Sequence, residues 1–98
     1  MTPEGKVKAK LKKHPWLANA YQYWPVPSGY GKQTLDCICC EPGDTAGQFV
    51  GYECKRFGIR KPTPRQAAIM REMRAAGGRT FIVTPGSDGE LEFIEITR

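Results

Sequence analysis

Gln48-Phe49-Val50-Gly51-Tyr52-Glu53-Cys54-Lys55 is the stretch whose reading decides the fold. It is short, rich in β-formers and preceded by the turn Glu41-Pro42-Gly43-Asp44, so it reads as a strand. Side chains two apart leave the same face of a strand, which puts Glu53 and Lys55 together. Asp36 stands seventeen residues before Glu53, within an earlier apolar run, Thr34 to Cys40, that reads as a second strand. The turn between them predicts an antiparallel, hairpin-like pair. Asp36, Ile38 and Cys40 then occupy one face of the earlier strand, and Cys37 and Cys39 the other. The sequence leaves the register of Asp36 against Glu53 open.

Outward from this pair the pattern becomes helical. Thr63-Pro64-Arg65-Gln66 has the form of a capping box, with a threonine cap and a glutamine that can return to the threonine amide. Gly77-Gly78 ends this helix with residues tolerant of left-handed backbone. Its apolar face is Ile69, Met70, Met73 and Ala76, and Gln66 falls on the same side. Thr2-Pro3 opens a first helix in the same way, and Pro15 stops it near Lys13 or His14. Glu4, Val7 and Leu11 recur at helical spacing, so a carboxylate sits on the packing face. The helix dipole accounts for an acid in the first turn but not for its inward side.

Residues 16 to 32 are aromatic and rich in Pro and Gly, with Trp16, Tyr21, Tyr23, Trp24 and Tyr30 among Pro25, Pro27, Gly29 and Gly31. They predict a short strand around Tyr21 to Trp24 followed by a loop, with the aromatics packing in the core or an interface in preference to stacking on bases. Arg79 to Thr84 and Leu91 to Thr97 supply two last strands around the turn Pro85-Gly86-Ser87-Asp88-Gly89. The order helix, three strands, helix, two strands predicts one α/β (α+β mixed) domain over 1–98, a mixed sheet flanked by helices.

A chain this short buries only about 65% of the surface its unfolded form exposes, so a partner subunit is plausible on size alone. The net charge is +5, and it is uneven. Residues 1 to 79 hold fourteen Lys/Arg against six Asp/Glu, or +8, whereas residues 80 to 98 carry −3. Lys6, Lys8, Lys10, Lys12 and Lys13 crowd the first helix; Arg56, Arg60, Lys61 and Arg65 follow the Glu53/Lys55 strand. A polyanion such as nucleic acid rewards this distribution by counterion release, although a lysine run is also an ordinary solvated surface. Lys6, Lys10, Lys13, Arg56, Arg60, Lys61 and Arg65 are the candidate nucleic-acid contacts. No apolar run approaches the roughly 20 residues of a membrane span, and the charged N-terminus lacks a secretory pattern. The sequence thus predicts a soluble, intracellular protein. Cys37, Cys39, Cys40 and Cys54 lack the paired spacing of zinc sites and read as reduced core residues; a small zinc protein is the minor alternative.

Cleaving a phosphodiester needs an activated water, charge compensation at phosphorus and stabilisation of the leaving alkoxide, all of which divalent metals can provide. Magnesium favours oxygen donors and retains water, so Asp36, Glu53 and the Cys54 carbonyl form a suitable seat. Lys55 can orient or deprotonate the water, or stabilise the transition state. The bland alternative is a cross-strand salt bridge from Lys55 to Glu53 or Asp36.

Gly31-Lys32-Gln33-Thr34-Leu35-Asp36, Phe49-Val50-Gly51-Tyr52-Glu53-Cys54-Lys55, Thr63-Pro64-Arg65-Gln66 and Gly77-Gly78-Arg79-Thr80-Phe81-Ile82-Val83 together resemble the VRR-NUC domain, a branch of the PD-(D/E)XK nuclease superfamily. The resemblance spans Thr2 to about Val83. It implies a restriction-endonuclease-like core, with Asp36 and Glu53 as metal ligands, Lys55 as the catalytic lysine, Gln66 as an added polar group and Glu4 completing the metal site. One departure is Leu35, where the superfamily motif has Pro. The resemblance further implies a Mg2+- or Mn2+-dependent DNA endonuclease that leaves 5'-phosphate and 3'-hydroxyl ends. Short standalone proteins of this kind are expected to act as homodimers on branched DNA, including four-way (Holliday) junctions. A flap or restriction-like nuclease, and a basic nucleic-acid-binding module without catalysis, are the alternatives.

Overall fold

The computed structural model describes residues 1–26 and 31–98; the part of the aromatic loop containing Pro27, Gly29 and Tyr30 lies outside the described residues. The elements run α1 (Pro3–Lys12), a single 3-10 turn (Pro15–Leu17), β1 (Tyr21–Tyr23), β2 (Cys37–Glu41), β3 (Gln48–Cys54), α2 (Pro64–Ala75), β4 (Arg79–Pro85) and β5 (Leu91–Glu95). The five strands form one sheet in sequence order. β1, β2 and β3 pair antiparallel, β3 and β4 pair parallel, and β5 returns antiparallel to β4. The parallel pair forces a crossover, which α2 provides. The chain is thus a mixed α+β sheet with two helices, and among the described residues no helix is long and apolar enough to cross a membrane.

Alternation along the strands divides the core in two. Val50, Tyr52, Cys54, Phe81, Val83, Cys37 and Cys39 pack with Val7, Leu11 and Leu17 on the α1 side. Leu35, Ile82, Met70 and Met73 pack on the α2 side, with Ile38 and Ile69 partly buried against them. Gly51 lies under this second cluster, where an added Cβ would come within 2.8 Å of both the Met73 sulfur and Leu35 Cδ1. A side chain there would lift α2 from β3, because core contacts that tight leave no room. Leu35 therefore belongs to the packing beneath α2.

Several expectations change at this level. β2 starts at Cys37 rather than Thr34, because the ladder beyond Cys37↔Tyr52 gives way to side-chain bonds from Asp36 and Glu53. Cys37, Cys39 and Cys54 are buried free thiols, but Cys40 is exposed, since the α2-side face of β2 is incompletely covered there. Ala76 is also exposed, as the residue capping the C-terminus of α2. Tyr21 and Tyr23 are 80% and 59% exposed on the edge strand, contrary to core packing, while Trp16 stacks on Phe93 with ring centroids 4.2 Å apart.

Candidate active site

Glu53 and Lys55 sit at the carboxyl end of β3, beside the end of its parallel neighbour β4. Crevices at carboxyl strand ends are the usual binding positions of open α/β sheets. Both side chains are buried, at 6% and 7% exposure, which is exceptional for charged residues and requires partners. Asp36, just before β2, supplies part of the answer. Its amide donates to Glu53 Oε1 at 3.2 Å, and its Oδ2 accepts from the Cys54 amide at 2.9 Å. This reciprocal exchange continues the β2–β3 pairing with side chains and fixes the register that the sequence left open. Since the amide and carbonyl of one strand residue face the same neighbour, the Cys54 carbonyl is turned toward the Asp36 side.

Gln66 supplies the rest. Its Oε1 accepts from Lys55 Nζ at 2.6 Å and from the Thr63 amide at 3.0 Å, and its Nε2 donates to Glu53 Oε2 at 3.0 Å. The Thr63 hydroxyl accepts from the Gln66 amide in return, completing the capping box. Capping and site construction are therefore performed by one amide at the same time. Lys55 forms no ion pair with Glu53 or Asp36; Gln66 stands between the two charges. The cross-strand salt bridge expected on the bland reading is absent from the described residues.

Asp36 instead pairs with Lys8, whose Nζ lies 3.3 Å from Asp36 Oδ1. Burial opposes the Lys8 ammonium, but the Asp36 charge and hydrogen bond outweigh it and raise its pKa. Lys8 was hidden among the lysines of α1 in the sequence. Its signal was spacing: Lys8 is one turn beyond Glu4 and adjacent to buried Val7, so it flanks the packing face. Burial, then the Asp36 charge, pushes the Glu53 carboxyl up to about 8. Burial and the same two carboxylates also raise the Cys54 thiol, keeping it neutral, with a smaller contribution from Glu4.

Glu4 is exposed, and the structure does not gather it with Asp36 and Glu53. The helix face that buries Val7 and Leu11 emerges into solvent one turn earlier. Among the described residues no three carboxylate, imidazole or thiol groups converge as a metal-ligand set. The two that do meet, Asp36 and Glu53, still suit a divalent cation. They are paired carboxylates in which burial, and then mutual repulsion, drives Glu53 toward protonation, and magnesium commonly takes only one or two carboxylates.

Arg56, Arg60, Lys61 and Arg65 surround this end of the sheet and are exposed, as are Lys6, Lys10 and Lys13 on α1. Some already have partners: Arg60 pairs with Glu92 at 2.6 Å, Arg65 donates to Gln33 Oε1 at 2.8 Å, and Lys10 donates to the Gly89 carbonyl at 2.7 Å. A groove of about 410 Å³ between α2 and the β2–β3 hairpin, floored by Ile38, Ile69 and Met73, is lined by none of the catalytic candidates. No protein-family model matches the chain, and no curated protein matches it significantly.

Proposed function

We propose that the protein is a Mg2+- or Mn2+-dependent DNA endonuclease with a PD-(D/E)XK core of the VRR-NUC type. The observation that carries this reading is Gln66, one neutral side chain that bonds both the buried Glu53 carboxylate and the buried Lys55 ammonium, beside the crowded Asp36/Glu53 pair. Stability alone does not explain such a cluster, because buried charges are costly and apolar replacements of similar volume often serve as well. Strongly perturbed groups that share a strand end are more common at catalytic sites.

Asp36, Glu53 and the Cys54 carbonyl would hold the metal. Bound there, the ion supplies an acidified water and charge compensation at the phosphate. Gln66 and the Asp36 amide fix the two oxygens of Glu53, so the carboxylate is aimed before substrate arrives. Lys55, held by Gln66, is placed to stabilise charge growing on the phosphoryl oxygens or to pass a proton. The basic residues around the strand end hold the DNA backbone.

The preferred substrate in this reading is branched DNA, four-way junctions included, cut by a homodimer whose two-fold symmetry presents paired sites. That finer part rests on the sequence resemblance. Labelled junction, flap and linear duplex DNA incubated with Mg2+, Mn2+ or EDTA test the reading. Cutting with either metal, none with EDTA, 5'-phosphate ends and a solution mass twice the 11.0 kDa of the chain are expected. Binding of every substrate without cutting favours the non-catalytic module.

A further inference from the structure

Between Lys55 and the α2 cap lies Arg56-Phe57-Gly58-Ile59-Arg60-Lys61-Pro62, a stretch with three cations and no acid. Both of its ends are tied to the active site. Lys55 donates its amide to the Val83 carbonyl at 2.8 Å, and Thr63 donates its amide to Gln66 Oε1 at 3.0 Å. The loop therefore leaves and returns beside the carboxyl end of β3, and Arg60 reaches Glu92 on β5 at 2.6 Å. Its first turn is rigidly supported: the wholly buried Thr84 donates its hydroxyl to the Arg56 carbonyl at 2.9 Å, and the Ile59 amide closes onto that same carbonyl at 3.1 Å. Gly58 makes the turn at φ 89°, a conformation side chains disfavour. The result of this construction is that Phe57 projects with 65% of its surface exposed and Ile59 with 37%.

Single exposed apolar residues are common and need no explanation. Two within three residues, on a turn held by a buried hydroxyl and flanked by Arg56, Arg60 and Lys61, form a different pattern. Cations that hold phosphates next to an aromatic ring that accepts a base are the ingredients of stacking platforms for unpaired nucleic acid. Two residues of chain also limit Phe57 to about 7 Å from Lys55 along the backbone.

We infer that Phe57 stacks on a base that is unpaired or unstacked next to the scissile phosphate, so that the 56–62 loop selects DNA with interrupted base stacking. Its place beside a scissile bond rests on the nuclease reading; its affinity for unpaired bases does not. Arg56 and Lys61, joined by Arg60 when it exchanges Glu92 for a phosphate, supply contacts that are indifferent to base pairing, and Phe57 supplies the discrimination.

Two duplexes of equal length test this in EDTA, one fully paired and one with a short unpaired stretch containing 2-aminopurine, using wild type, Phe57→Ala and Phe57→Trp. Because Phe57 is exposed, its replacement should leave the thermal melt unchanged. The expected result is about a tenfold loss of affinity for the interrupted duplex in Phe57→Ala, with the paired duplex and its salt dependence unaffected. Phe57-dependent quenching of 2-aminopurine and recovery with Phe57→Trp should accompany it. Equal weakening on both duplexes, no change on either, no binding by wild type, or halving of the solution mass by Phe57→Ala would overturn the inference, the last by making the loop an interface between copies. Cutting is scored separately with Mg2+ and Mn2+. Phe57-dependent binding without cutting removes the nuclease reading and keeps this one; cutting indifferent to Phe57 does the reverse.

Discussion

α1 and α2 begin alike, with threonine at the cap and proline at the first helical position, yet they give the site different things. In α2 the third helical position is Gln66, whose side chain turns back to its own cap and meets Glu53 and Lys55 on the way. In α1 the third position is Gly5, which offers only its amide to Thr2. Glu4, one position earlier, is exposed, and it is Lys8 in the next turn that reaches Asp36. One helix end thus provides a neutral, fully bonded frame around two buried charges. The other provides a single ammonium, paired with Asp36, whose side chain is 39% exposed.

The α2 end should be the more sensitive to change. Gln66→Ala removes the capping acceptor and strands Glu53 and Lys55, so we expect single-turnover cutting to fall at least about a hundredfold and stability by about 1–2 kcal/mol. Gln66→Glu separates the two roles. A carboxylate still completes a capping box, so the start of the helix is kept, but it cannot donate to Glu53 and adds like charge beside it, so cutting should remain low while stability still falls by about 1–2 kcal/mol. Recovery of cutting in Gln66→Glu would show that the cap alone matters.

Next in size is the pH dependence conferred by Glu53. Its folded-state pKa of about 8 lies above the ordinary value of 4.5, so between these values the folded chain binds more protons than the unfolded chain. Its contribution to stability is therefore fully present below 4.5 and is lost as pH rises through about 8. Glu53→Gln should flatten this slope in urea melts across the window. Divalent cation should raise the melting temperature of wild type more above about pH 8 than near pH 5.5, because the proton competes for the same carboxylate. A wild-type slope that matches Glu53→Gln would contradict the burial of this charge.

At the α1 end, Lys8→Ala should tighten Mn2+ binding several-fold in calorimetry, since the ammonium and the metal share Asp36. Its effect on stability should stay under about 1 kcal/mol, as expected for a partly exposed ion pair. Weaker Mn2+ binding would instead make Lys8 a support for the site. Glu4→Gln should change least, within about 0.5 kcal/mol in stability and less than tenfold in cutting. A loss as large as that of Asp36→Asn would make Glu4 a metal ligand, as the sequence resemblance implies.

Both helix starts were legible in the sequence because capping is local: Thr2-Pro3 and Thr63 to Gln66 each carry their signal within four residues. Strand identity and alternation in β3 were equally local, which is why Glu53 and Lys55 fall on the α2 side as their spacing required. The beginning of β2 was not legible. It depends on Asp36 donating its amide to Glu53 and accepting from the Cys54 amide, seventeen and eighteen residues away, and only the folded register creates those bonds. Glu4 lies in line with buried Val7 and Leu11 as its spacing required, but its exposure depends on where the body of the protein ends beneath the helix, which periodicity does not give. Lys8 was passed over for a related reason, since five lysines in one helix look alike until one of them faces a carboxylate. Exposure of Tyr21, Tyr23 and Cys40 likewise depends on how far the helices cover the sheet.

Asp36, Glu53, Lys55 and Gln66 are proposed to form one metal-dependent hydrolytic centre. It is tested most directly by single-turnover cutting of a labelled four-way junction by wild type and Lys55→Ala, in Mg2+, Mn2+ and EDTA, with binding measured in parallel. Metal-dependent cutting by wild type and a loss of at least about a hundredfold in Lys55→Ala at unchanged DNA affinity are expected. Equal cutting by the variant, or cutting that persists in EDTA, would contradict it.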